Sequence, residues 1–183
     1  YINETLKCIY YKTQSTSGVG SESHTFAANF AYSKLKDVYD YFGFIDHDIF
    51  PLKEFSVKKI LENKLMAGIG QHKSKIYFWP GCLFFDNGKI DKSLVDFSIN
   101  RELQLDTGGN LYRVIEKHTT DDFVFFNEEY CQNPYFKKSF YDWYSTINDK
   151  MFMHFVNASN WAKSNDNTER INSLLNVLNE KTQ

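Results

Sequence analysis

The chain has 183 residues and a formal net charge of −2, which suits one domain with a substantial core and gives no electrostatic support for a general nucleic-acid or polyanion binder. No run approaches the roughly 18–20 apolar residues of a membrane span, and no signal peptide is visible. Aromatics make up 17 % of the residues, with 17 Phe and 12 Tyr, pointing to a thick apolar core and a ring-lined cleft. Cys8, Cys82 and Cys131 are odd in number and widely spaced, so they read as reduced thiols rather than a disulfide framework. The expected location is cytoplasmic or peripheral to a membrane. The first residue, Tyr1, is not Met, which leaves room for a segment upstream.

In chain order, Leu6–Lys12 is β-prone and reads as a strand, followed by a polar loop over Thr13–Ser23. From His24 the spacing turns helical: Phe26, Ala27, Phe30, Ala31 and Leu35 fall on one face, with Ser21 or Ser23 as cap. Val38–Phe44 reads as the next strand. Strand, loop, helix and strand in that order predict a right-handed βαβ unit with parallel strands. Phe55–Met66 reads as a short amphipathic helix, and Lys75–Phe85 as two strands broken at Pro80-Gly81. Ile90–Leu94 is a turn and helical start. Asp106-Thr-Gly-Gly109 opens a helix over Asn110–Lys117, with Leu111, Val114 and Ile115 inward. Phe123–Phe126 and Met151–Phe155 read as short strands, while Lys138–Tyr144 fits no single pattern. Residues 165–183 hold a terminal helix, Thr168–Lys181, capped by Thr168 with Ile171, Leu174, Leu175 and Leu178 on its inner face. No repeat or interdomain linker interrupts the chain.

The stretch with most chemistry is Phe44-Ile-Asp46-His-Asp48, an apolar run ending in two carboxylates one residue apart. If the strand persists to Asp48, both acids point the same way and His47 the other. Two buried carboxylates side by side repel and lose hydration, and a hard divalent cation, Mg²⁺ or Mn²⁺, is the usual remedy. In open α/β sheets ligands collect beyond the carboxyl ends of strands, where these acids sit. The plainer alternative has both acids at a strand end, facing water.

Several pieces together resemble a GT-A fold nucleotide-sugar glycosyltransferase of the Asp-x-Asp type. They are Ser23-His24 leading to Ala28-Asn29, Phe44–Asp48, Pro80-Gly81-Cys-Leu-Phe-Phe, Asp106-Thr-Gly-Gly109, and His154-Phe with Trp161 downstream, in the family's order over roughly residues 6–161. The resemblance implies one catalytic domain over 1–183: a Rossmann-like, mostly parallel sheet flanked by helices. That family usually opens with one more strand, so either it precedes the chain or the sheet is abbreviated. The resemblance further implies a nucleoside-diphosphate sugar donor and a glycan or other hydroxyl acceptor. Asp46 and Asp48 would hold Mn²⁺ or Mg²⁺ at the diphosphate, with Asp48 the direct ligand and His154 a third. His24 and Asn29 would line the donor site. Asp106 would be the base that deprotonates the acceptor, its plainer role being a helix N-cap. The family's usual Glu-Asp pair is absent, and the segment from His154 to Trp161 resembles retaining enzymes of the glycogenin type, so the stereochemical course stays open. A metal-dependent nucleotidyltransferase or phosphohydrolase also uses paired carboxylates, but Thr13–Ser23 has no Gly-Lys-Ser/Thr. A non-catalytic carbohydrate-binding module would use the aromatics as stacking platforms.

Overall fold

A computed structural model describes residues 20–136, 143–156 and 167–182; the expected Leu6–Lys12 strand, Cys8 and Trp161 lie outside them. The described residues form a mixed α/β domain. Helix α1 spans Ser21–Leu35, followed by β1 (Tyr41–Ile45), β2 (Ile49–Pro51) and a five-residue helix α2 (Val57–Leu61). Strands β3 (Met66–His72) and β4 (Ile76–Asp86) come next, then α3 (Tyr112–Glu116) and β5 (Phe123–Phe125). Strands β6 (Glu128–Gln132), β7 (Trp143–Ile147) and β8 (Phe152–His154) precede the terminal helix α4 (Asn167–Thr182).

The strands form two four-stranded sheets, ordered β1-β4-β3-β5 and β2-β8-β7-β6. The expected mostly parallel sheet is not found. Among the described strands only β3 and β5 run parallel, and every other pairing is antiparallel. The links explain two of these pairings, β3 with β4 and β7 with β8. Three residues, 73–75, join β3 to β4, and a turn over 148–151 joins β7 to β8; links this short can only return a strand antiparallel. The β3-to-β5 connection is long enough for a crossover.

Three apolar clusters stack the layers. Phe78, Leu83 and Phe85 of β4 face Ala28 and Tyr32 of α1, together with Phe97 and Val114. The opposite face of that sheet, with Ala67, Ile69 and Phe84, packs against Ile49, Ile147 and Phe152 of the second sheet. The second sheet's outer face, with Tyr144 and Met153, is covered by Leu174 and Val177 of α4. Each fully buried Phe contributes about 1.5–3 kcal/mol by its burial.

Several element readings are corrected. Helix α1 begins at Ser21 on Gly20, without a side-chain cap, and it buries Ala28 and Tyr32 rather than Phe26 and Phe30. Phe26, exposed, stacks on the half-buried Phe30. Tyr32 reaches inward because its ring meets Phe42, Phe85 and Phe97 edge-on, while its hydroxyl donates to Asn87 Oδ1 at 3.1 Å. The Phe55–Met66 segment is mostly not helical, since Met66 already starts β3. Pro80 does not end β4; it sits where the β3 register shifts between Gly68 and Gly70, an irregularity that tolerates a residue without an N–H. On α4, Leu174 and Leu178 pack inward as expected, but Ile171 and Leu175 are exposed. Cys82 is a buried free thiol, and burial pushes its pKa up to about 12. Among the described residues no helix is long and apolar enough to cross a membrane.

Candidate functional site

The two acids do not extend the strand. β1 stops at Ile45, and the Ile49 N–H donates to the Asp46 carbonyl at 3.0 Å, closing a turn across Asp46–Ile49. That turn carries the chain from the first sheet into the second. It is pinned by the Asp46 N–H to the Gly81 carbonyl (2.8 Å) and by the Phe155 N–H to the Asp48 carbonyl (2.8 Å). Strand alternation therefore does not govern the acids, and His47 lines the same cleft instead of turning away.

The cleft has a volume of about 850 Å³, and His24, Asp46, Asp48, Asp106 and His154 all line it. His24, in the first turn of α1, has Nε2 3.2 Å from Asp46 Oδ1. The hydrogen bond that His24 donates to Asp46 raises the imidazole's pKa, against the opposing effect of burial. Asp48 is buried, and its Oδ1 has no hydrogen-bond partner. Burial pushes its carboxyl pKa up, and the nearby His154 and His47 only partly offset this. Asp48 Oδ1 lies 3.9 Å from His154 Nε2, while His154 Nδ1 lies 3.6 Å from Glu128 Oε1.

Trp79 lies across the His154 ring, centroids 5.5 Å apart. Gly81 makes this possible, because a Cβ there would fall inside the Trp79 indole. Glu128 and Trp79 are site residues that sequence reasoning missed. Glu128 sits in a short, half-exposed strand, and Trp79 reads as core. The only sequence hint is an acid flanked by apolar and aromatic residues in Phe126-Asn-Glu128-Glu-Tyr130.

Asp106 lies on a turn closed by the Gly109 N–H to its carbonyl at 2.7 Å. Gly108 adopts φ 81°, and a Cβ there would come within 2.5 Å of the Phe78 carbonyl oxygen, so the turn requires glycine. Asp106 does not cap the helix as the sequence suggests. Its Oδ1 accepts the Thr107 N–H at 2.8 Å, and α3 begins only at Tyr112. Thr107 Oγ1 in turn donates to the Ser21 carbonyl at 3.1 Å, holding the turn against the start of α1. Asp106 also borders a second, open depression of about 460 Å³ that includes Lys73 and Arg101.

Asn29 does not join the cleft. Its Oδ1 accepts the Phe97 N–H at 3.0 Å and its Nδ2 donates to Ser98 Oγ at 3.3 Å, so it ties α1 to the segment beneath.

Among the described residues no three His, Cys, Asp or Glu side chains converge as a ready metal-ligand set. Asp46 is engaged by His24. The two-point combination of Asp48 and His154 does fit a small divalent cation. Asp48 Oδ1 is a buried acceptor with no donor, and 3.9 Å separates it from an imidazole nitrogen. Two ligands each about 2 Å from one ion span up to about 4 Å, and Mg²⁺ commonly completes its shell with water and substrate phosphates. No known family model, curated protein or solved structure matches the chain.

Proposed function

We propose that this chain is a GT-A-like glycosyltransferase that moves a sugar from a nucleoside-diphosphate sugar to a hydroxyl acceptor, with a divalent cation at Asp48 and His154. One observation carries the reading: residues as far apart in sequence as His24, Asp46, Asp48, Asp106 and His154 line a single cleft. Their types suit the work. Mn²⁺ or Mg²⁺ bound there supplies Lewis-acid neutralisation of the charge that develops on a diphosphate leaving group. His24, whose protonated form Asp46 favours, faces the same space, where an imidazolium would attract phosphate oxygens. Asp106 stands where the cleft meets the smaller depression, a suitable position for a base between a donor on one side and an acceptor hydroxyl on the other.

Isothermal calorimetry with a panel of nucleoside-diphosphate sugars, with and without Mn²⁺, tests the reading. Binding of at least one donor only when Mn²⁺ is present, and its loss in Asp48→Ala, is the expected result. A panel that shows no binding, or binding indifferent to both metal and Asp48, would overturn it. Hydrolysis of a free nucleotide without sugar transfer would favour a phosphohydrolase instead.

A further inference from the structure

We propose that Glu128 is a positioning residue for His154, holding the ring with its proton on Nδ1 and its Nε2 lone pair turned to Asp48 Oδ1. The significance of that orientation for a cation rests on the function proposed above; the orientation itself does not.

A neutral imidazole has one N–H and one lone pair, and here a carboxylate faces each nitrogen. The Glu128 end is the closer, 3.6 Å at Nδ1 against 3.9 Å at Nε2. Nδ1 is also closed off from solvent. A lone pair on Nδ1 would oppose the Glu128 oxygen at the shorter distance, acceptor against acceptor. Placing the proton on Nδ1 relieves that contact and leaves the facing acceptors at the longer one, Nε2 to Asp48 Oδ1.

Glu128 is built to stay in place and ionised. Ser145 Oγ donates to its Oε1 at 2.6 Å and Tyr130 Oη donates to its Oε2 at 3.2 Å. Accepting from two hydroxyls favours the ionised carboxylate. Strand register sets the geometry: Ser145 pairs with His154 on one side and with Tyr130 on the other, so all these groups share one face of the second sheet. Trp79, seated over Gly81, limits rotation of the ring.

With Nδ1 occupied, Nε2 and Asp48 Oδ1 become two acceptors facing each other across 3.9 Å. That leaves the Asp48 oxygen without a donor and makes the pair complementary to a cation or a shared proton. A carboxylate behind a metal-binding imidazole fixes its tautomer and raises its basicity, and its loss commonly costs about 10–100-fold in metal affinity.

Imidazole nitrogen NMR on the metal-free chain, at about pH 8 where histidine is ordinarily neutral, reads the tautomer directly, with His154→Asn used to assign the signal. The expected wild-type ring is protonated on Nδ1. Glu128→Ala should shift it toward Nε2 and weaken Mn²⁺ binding by about 10–100-fold. Glu128→Gln, which keeps an acceptor oxygen, should restore both. A wild-type ring protonated on Nε2 overturns the proposal, and that result needs no variant to fold. Unchanged tautomer and Mn²⁺ affinity in a folded Glu128→Ala would overturn it equally. Because the tautomer is read without metal or nucleotide, its failure is distinct from a failure of the glycosyltransferase reading, which would appear as no donor binding.

Discussion

Replacing Asp48 with asparagine should stabilise the protein while removing its metal-dependent donor binding. The Asp48 side chain is only 10 % exposed, and its Oδ1 has no hydrogen-bond partner. A buried polar atom left unsatisfied costs about 1–3 kcal/mol. Asparagine keeps the shape but removes the charge, and because its amide stays polar the recovery should lie near about 1–2 kcal/mol. For a chain of this size that is a rise in Tm of about 2–8 °C at pH 7. The pH dependence has a definite sign. Burial raises the folded-state pKa above the ordinary 3.8, so the fold favours the protonated acid. The stabilisation that protonation brings is complete below 3.8 and is lost as pH rises through the folded pKa. Wild type and Asp48→Asn should therefore differ most near neutrality and converge in acid. Thermal melts of both proteins across pH, paired with calorimetry of a nucleoside-diphosphate sugar and Mn²⁺, measure the two effects together. A lower Tm for the variant at pH 7, or a gap that does not close in acid, would refute the account of Asp48 as a destabilised buried carboxylate. Donor binding equal to wild type would refute its place in the site.

Asp106→Asn should retain donor binding and Tm, because the amide oxygen can still accept the Thr107 N–H, while sugar transfer falls by about 10²-fold or more; near-normal transfer would reduce Asp106 to a turn residue. Gly81→Ala should destabilise by about 1–3 kcal/mol, the usual cost of overpacking, and change tryptophan fluorescence as Trp79 leaves His154; an unaltered denaturation curve would show that the site does not depend on that glycine. For His24→Gln the comparison is again with pH. The raised imidazole pKa contributes stability that is fully present below about 6.5 and lost as pH rises through the folded value. The variant should melt lower than wild type near pH 6, by the equivalent of about 1 kcal/mol or less for so exposed a pair, and equal it in alkali. A difference independent of pH would remove the His24–Asp46 ion pair from the account.

Residue chemistry singled out Asp46 and Asp48, the resemblance to a glycosyltransferase added His24, Asp106 and His154, and tertiary folding brings all five to one cleft. Local signals also placed β1, β5, β8 and the terminal helix to within a few residues, because apolar runs and a helical period are properties of short segments. What could not be read locally follows from partners distant in sequence. Phe26 and Phe30 offered as good an inner stripe for α1 as Ala28 and Tyr32; the choice fell to Tyr32 because Phe42, Phe85, Phe97 and Asn87 wait for it. The same cause put Asn29 under Phe97 instead of in the cleft. Short links make β3–β4 and β7–β8 antiparallel, while β1–β4 and β2–β8 join strands far apart in sequence, and no periodicity names such partners. Glu128 matters only because β6, β7 and β8 align it with Ser145 and His154. The sequence by itself determined which chemical groups were available and in what order. The tertiary structure alone decided that Asp46 is paired with His24, that Asp48 is left without a donor, and that Glu128 stands behind His154, because distances between side chains are set by packing and register and not by spacing along the chain.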